Sequence, residues 1–240
     1  MTLNIAALAS GRGSNVAAIL AAIESGKLDA RMVLVASNNP EAPVLAMAQS
    51  KGIAVWAESH KAFADRASFD TALAQAITAA GADTLVLAGY MRILTEGFVR
   101  RFAGRILNIH PALLPSFPGA HGGPDALAYG VRVTGATVHF VDEIMDHGPV
   151  IIQGVVPLSG NDTENQLMPR IHALEHRIFP QALQWLAEGR LHLDGRRVRL
   201  APQPHKETPA LHESEEQHPL ATTGRGEHGP WLVSPPLESF

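Results

Sequence analysis

Four short apolar runs, Asn4–Leu8, Met32–Ala36, Ile53–Trp56 and Thr84–Ala88, alternate with helical segments, and this alternation constrains the fold more than any other feature. Continuous apolar runs of strand length are those buried on both faces of a sheet. Strands separated by helices pair in parallel through right-handed crossovers. Helices are read over Val16–Ile23, Pro43–Lys51 and Ser68–Ala80. The expected fold is therefore α/β, an open doubly wound and mostly parallel sheet.

Past Ala88 the pattern changes. Gly89–Leu94 reads as a loop with exposed apolar residues, followed by a short helix near Glu96–Phe102 and a strand running into Asn108. Ala136–Val141 and Pro149–Val156 are two apolar strands whose connection, Asp142–Gly148, is too short for a helical crossover, so they should form an antiparallel hairpin. Thr163-Glu-Asn-Gln166 matches a capping box and starts a long helix to about Glu188, with kinks expected at Pro169 and Pro180. Leu191–Leu200 suits a small hairpin around Asp194-Gly195. Residues 1–200 are expected to form one domain, with a phosphate-binding first half and a second half that supplies the rest of the site. Residues 201–240, rich in Pro, His, Glu, Gly and Ser, are expected to be a disordered or loosely attached tail.

Charge and composition narrow the function. The net charge of −4 resides in residues 201–240, where six Glu face Lys206 and Arg225, and the first 200 residues are balanced. No bulk basic field points to nucleic acid. With no cysteine there is no disulfide framework, thiolate nucleophile or Cys zinc site. No leader pattern opens the chain and no apolar run reaches membrane-spanning length, so a soluble cytoplasmic protein without membrane partners is expected.

Three groups of residues carry chemistry. Ser10-Gly-Arg-Gly-Ser-Asn15 lies between a strand and a helix, where backbone N–H groups make an anion site. Its spacing lacks the third glycine of a dinucleotide fingerprint and the Lys of a Walker loop, which leaves a small monophosphate site on Gly13, Ser14 and Asn15, or a plain tight turn. Asn108 and His110, two apart on a strand that ends at Pro111, point the same way. Asp146, before His147-Gly148-Pro149, is a carboxylate that could orient that imidazole and hold it protonated. His172-Ala-Leu-Glu175-His176 also matches an inverted zinc-protease motif, which leaves a zinc protease and a non-catalytic phosphate-binding module as alternatives.

In order and spacing, Ser10–Asn15, Leu87–Leu94, Leu107–Pro115, Gly135–Phe140 and Asp146–Pro149 together resemble the phosphoribosylglycinamide formyltransferases, a folate-dependent formyltransferase family of purine synthesis. The similarity runs from about Leu3 to Leu193. It implies a nucleotide phosphate on Gly11, Gly13, Ser14 and Asn15, with the glycinamide end near Glu175 and His172. It implies a folate, 10-formyltetrahydrofolate as co-substrate, across Met91, Arg92, Ile93 and Leu94, Asn108, and the loop Asp142, Glu143, Ile144, Met145 and Asp146, with Arg66 in contact. Catalysis would fall to Asn108, His110 and Asp146, without a metal. The partners implied are small molecules, and a homodimer is left open.

Overall fold

A computed structural model describes residues 1–203, 222–226 and 229–238. β1 (Leu3–Leu8), β2 (Ala30–Ser37), β3 (Val55–Ala57), β4 (Thr84–Leu87) and β5 (Ile106–His110) form the parallel body of the sheet, in the order β5-β4-β1-β2-β3. The helices between them are α1 (Ser14–Glu24), α2 (Pro43–Ser50), α3 (Arg66–Ala79) and α4 (Glu96–Arg101). Because the chain winds outward from β1 to β3 and then crosses to β4, a crevice opens beyond the carboxyl ends of β1 and β4. Such a switch point is where open α/β sheets bind ligands.

β6 (Val133–Phe140) and β7 (Val150–Pro157) add antiparallel strands beside β5, as the short Asp142–Gly148 connection requires. The β5–β6 register sets Asn108 opposite His139 and His110 opposite Thr137. α6 (Glu164–Ala187) begins after Thr163, whose N–H donates to the Gln166 side chain at 2.9 Å, and neither Pro169 nor Pro180 ends it. β8 (Leu191–Asp194) and β9 (Arg197–Leu200) make the expected hairpin.

The sequence reading placed no helix at α5 (Gly122–Tyr129), which follows β5 and the Pro-rich loop. Gly122 and Gly123 are there for packing. A Cβ on Gly122 would stand 3.0 Å from His110 Nε2, and one on Gly123 would stand 2.6 Å from Met168 Sδ. Of the expected tail, residues 204–221 lie outside the described ones. β10 (Thr222–Gly226) and β11 (Gly229–Ser234) extend the sheet, β11 pairing antiparallel with β7, and Val233 is buried. Glu238 closes on Arg190 at 2.7 Å.

Two apolar layers sandwich the sheet. Ile5 and Ala7 of β1 face the layer built on α1 and α6, with Ile19, Phe179 and Trp185, while Ala6 and Leu8 face Phe69, Leu73 and Ile77 of α3 and Phe98 of α4. Each fully buried side chain of this size contributes roughly 1.5–3 kcal/mol, which makes the sheet a rigid base for the loops at its ends. Among the described residues no helix is long and apolar enough to cross a membrane.

Candidate active site

A cavity of about 590 Å³ lies over the crevice. The loop after β1, the loop after β4, the end of β5, the β6–β7 loop and one face of α6 line it.

At one end the Gly11–Asn15 loop turns into α1. Gly13 has φ 78°, and a Cβ there would stand 2.3 Å from Val44 Cγ2, so the turn admits only glycine. Asn15 and Glu175 form the floor: Asn15 Nδ2 donates to Glu175 Oε2 at 2.9 Å. Burial pushes the Glu175 carboxyl up to about 7, against the Asn15 hydrogen bond, which lowers it. Asn15 Oδ1 is buried with no partner among the described residues. His172 lines the same end, and burial, with Arg12 beside it, depresses its pKa.

The other end is apolar at its mouth. Met91 and Ile93 of one loop, and Ile144 and Met145 of the other, are large apolar side chains left more than half exposed around one opening. Paired exposure of this kind marks a surface for a flat apolar ligand. The first loop is fixed from below: the Ser10 hydroxyl accepts Met91 N–H at 2.8 Å, the Asp70 carboxylate accepts Thr95 N–H at 2.7 Å, and the Arg92 guanidinium stacks on Phe69.

Between the two ends stand Asn108, His110, His139 and Asp146. His110 is buried, with Nε2 2.8 Å from Phe117 O and Nδ1 3.5 Å from Asp146 Oδ2. The Phe117 carbonyl accepts from Nε2, so Nδ1 is the nitrogen that faces the carboxylate. Asp146 turns inward on a left-handed backbone, φ 52°, and Gly119 N–H donates to its Oδ2 at 2.7 Å. Asn108 Nδ2 lies 3.1 Å from His139 Nε2 and 3.4 Å from Asp146 Oδ1. His139 Nδ1 donates to Phe140 O at 2.8 Å, which leaves Nε2 as an acceptor. Burial lowers the His139 pKa, chiefly by desolvation, so the ring is neutral and accepts the Asn108 amide.

The structure thus brings to one cavity every residue that the resemblance assigns to the site except Arg66, which is exposed at the start of α3 and does not line it; His176 of the zinc motif lies outside it as well. His139 is the addition. It lay unassigned inside an apolar strand, and its one signal was a polar residue interrupting that run. The zinc alternative does not fit: Glu175 is turned onto Asn15, and among the described residues no third ligand joins His172 and His176.

The formyl transferase family matches residues 3–183. The phosphoribosylglycinamide formyltransferase of Escherichia coli (strain K12) is 42% identical over 203 residues, covering 82% of this chain and 96% of that protein. That of Haemophilus influenzae is 39% identical, covering 79% and 89%. The crystal structure of glycinamide ribonucleotide transformylase 1 from Symbiobacterium toebii superposes with a TM-score of 0.82 at 43% identity, covering 84% of this chain and 95% of that one. A formyltetrahydrofolate deformylase from Pseudomonas syringae is more distant, with a TM-score of 0.74 at 27% identity, and this chain covers 66% of it.

Proposed function

The chain belongs to the formyl transferase family, and on that premise we propose how its cavity works. The protein is a glycinamide ribonucleotide formyltransferase of de novo purine biosynthesis, with a folate co-substrate. The nucleotide phosphate sits on the N–H groups of Gly11–Asn15 at the start of α1, where the helix dipole favours an anion. Asn15 Oδ1 and Glu175 accept donors of its sugar or glycinamide. The apolar mouth packs the folate ring, and the main chain of Met91–Leu94 hydrogen-bonds its edge.

10-Formyltetrahydrofolate supplies the formyl carbon, which the nucleotide amine attacks, so that negative charge develops on the formyl oxygen and positive charge on the nitrogen. The second Asn108 N–H and His110 Nδ1, whose contacts with Asp146 are long at 3.4 and 3.5 Å, turn from the carboxylate to donate to that oxygen; a donor placed for a developing oxyanion is worth roughly 10²–10³ in rate. His139 holds the Asn108 amide in its donating orientation. Asp146 orients His110 through Nδ1 and, directly or through water, passes the amine proton toward the departing folate nitrogen.

The convergence of Asn108, His110, His139 and Asp146 on one wall, between a phosphate loop and an apolar mouth, carries this reading. The test is a spectroscopic assay of folate deformylation with and without glycinamide ribonucleotide. Turnover that requires the nucleotide supports transfer, whereas release without it makes the protein a deformylase.

A further inference from the structure

Resting on the reading that the β6–β7 loop holds the folate, we propose that Arg196 is a positioning residue which locks that loop from outside. The loop has a demanding shape. It must hold Asp146 inward on a backbone conformation that L residues rarely adopt, while presenting Ile144 and Met145 at the mouth. On the inner side Gly119 N–H secures the Asp146 carboxylate. After Asp146, His147 N–H donates to Ile144 O at 3.3 Å and Phe140 N–H to Pro149 O at 2.9 Å, and between these two main-chain bonds the outer contact begins.

Arg196 projects from the β8–β9 turn. Its Nη2 donates to the main-chain carbonyl of His147 at 2.8 Å, and its Nη1 lies against the His147 ring, 2.8 Å from Nε2 and 3.0 Å from Nδ1. His147 Nδ1 in turn donates to Asp142 Oδ2 at 2.9 Å, and the other Asp142 oxygen accepts Ile144 N–H at 3.0 Å. One guanidinium is therefore connected through His147 to both stems of the loop. At the far side Arg100 of α4 reaches Glu143 at 3.3 Å, so the loop lies between two cations from different elements. The platform behind Arg196 is firm: β9 pairs with β8 along its length and meets β7 at Val150, next to the point where the loop re-enters the sheet.

The arrangement separates the two substrates. Arg196 is exposed and touches neither Gly11–Asn15 nor Glu175, so its loss should loosen Asp146 and the folate wall and spare the nucleotide end. Steady-state kinetics in both substrates on the full chain, with Arg196→Ala, Arg196→Lys and His147→Gly, test this. Arg196→Ala should raise KM for 10-formyltetrahydrofolate and lower kcat, together about tenfold in kcat/KM, as expected for one charge-assisted hydrogen bond. KM for the nucleotide and the melting temperature should not move. Arg196→Lys, which keeps a donor for the His147 carbonyl, should recover most of the loss, and His147→Gly, which keeps that carbonyl, should lose less than Arg196→Ala. Unchanged folate kinetics in Arg196→Ala, an equal rise in both KM values, or no rescue by lysine would overturn the proposal. If the unaltered protein released formate without nucleotide, the transfer reading would fail, and the folate KM of the variants would still decide the role of Arg196.

Discussion

Asn108 Nδ2 stands 3.1 Å from His139 Nε2, a hydrogen bond between directly opposed residues of β5 and β6. The bond settles which way the Asn108 amide points: with nitrogen toward His139, its N–H groups serve as donors and its oxygen is directed away. Replacing His139 by Ala should free the amide to rotate and lower kcat by about 10- to 100-fold, less than the roughly 10²–10³ for loss of Asn108 itself. The double variant should be no worse than Asn108→Ala alone, because both remove one function. Additive losses would refute the coupling.

Asp146→Asn keeps the shape of the side chain and removes its charge. It should lower kcat by at least about 10²-fold, since general acid–base assistance is typically worth 10²–10⁴. Nucleotide binding, measured by calorimetry without folate, should be unaffected. Activity and an acid limb of the pH profile that both match those of the unaltered enzyme would remove Asp146 from the proton path.

Gly13→Ala should damage the phosphate end selectively. The left-handed backbone alone costs about 1–2 kcal/mol in an alanine, and the new methyl must displace Val44 at the start of α2. KM for the nucleotide should rise at least about tenfold with little change in KM for the folate. Equal changes in both would show that the loop holds the site together generally rather than the phosphate.

Glu175 links stability to pH. Its carboxyl titrates at about 7 in the folded protein against 4.5 ordinarily, so between those values the folded state holds a proton that the unfolded chain has lost. Stability of the ligand-free protein should fall as pH rises across that window, by up to about 3 kcal/mol from this group. Glu175→Gln should flatten the curve. Urea unfolding at pH 5 and pH 8 gives the comparison, and an undiminished slope in the glutamine variant would assign the effect elsewhere.

Arg190 and Glu238 tie the end of the described chain to α6. Arg190 is buried and donates to Glu238 twice, at 2.7 and 2.8 Å, and to Ala201 O at 2.7 Å, and the Arg190 contact lowers the Glu238 pKa. Glu238→Ala should cost about 1–3 kcal/mol at neutral pH. Because the carboxylate is favoured in the folded state, this contribution is present above its unfolded pKa and lost on acidification through the folded one. Chemical unfolding of the variant against pH should show the difference closing at low pH.

Much of this was legible in the chain. Continuous apolar runs made β1, β2 and β4 readable, and Asn108 and His110 were visible because a strand that breaks into prolines displays its last polar residues. Asp146 stood out beside Gly148 and Pro149. What escaped was decided by packing between distant segments. α5 begins with Gly122-Gly123-Pro124, which has the composition of a loop, and only the closeness of His110 and Met168 explains those glycines. His139 looked like part of an apolar strand until β5 supplied its partner. Arg66, at the head of a readable helix, gave no sign that it would fall outside the cavity lining.

The Asn108–His139 pair also has a consequence for folding. Ala136, Val138 and Phe140 share one face of β6 and Thr137 and His139 the other, all five buried, so a slip of one residue against β5 would exchange an apolar face for a polar one. Such a slip also turns His139 to the opposite face and breaks the hydrogen bond between its buried imidazole and the half-buried Asn108 amide. The bond that aims the catalytic amide therefore also proofreads the sheet, and a mispaired molecule is penalised by the very residues it would need for turnover.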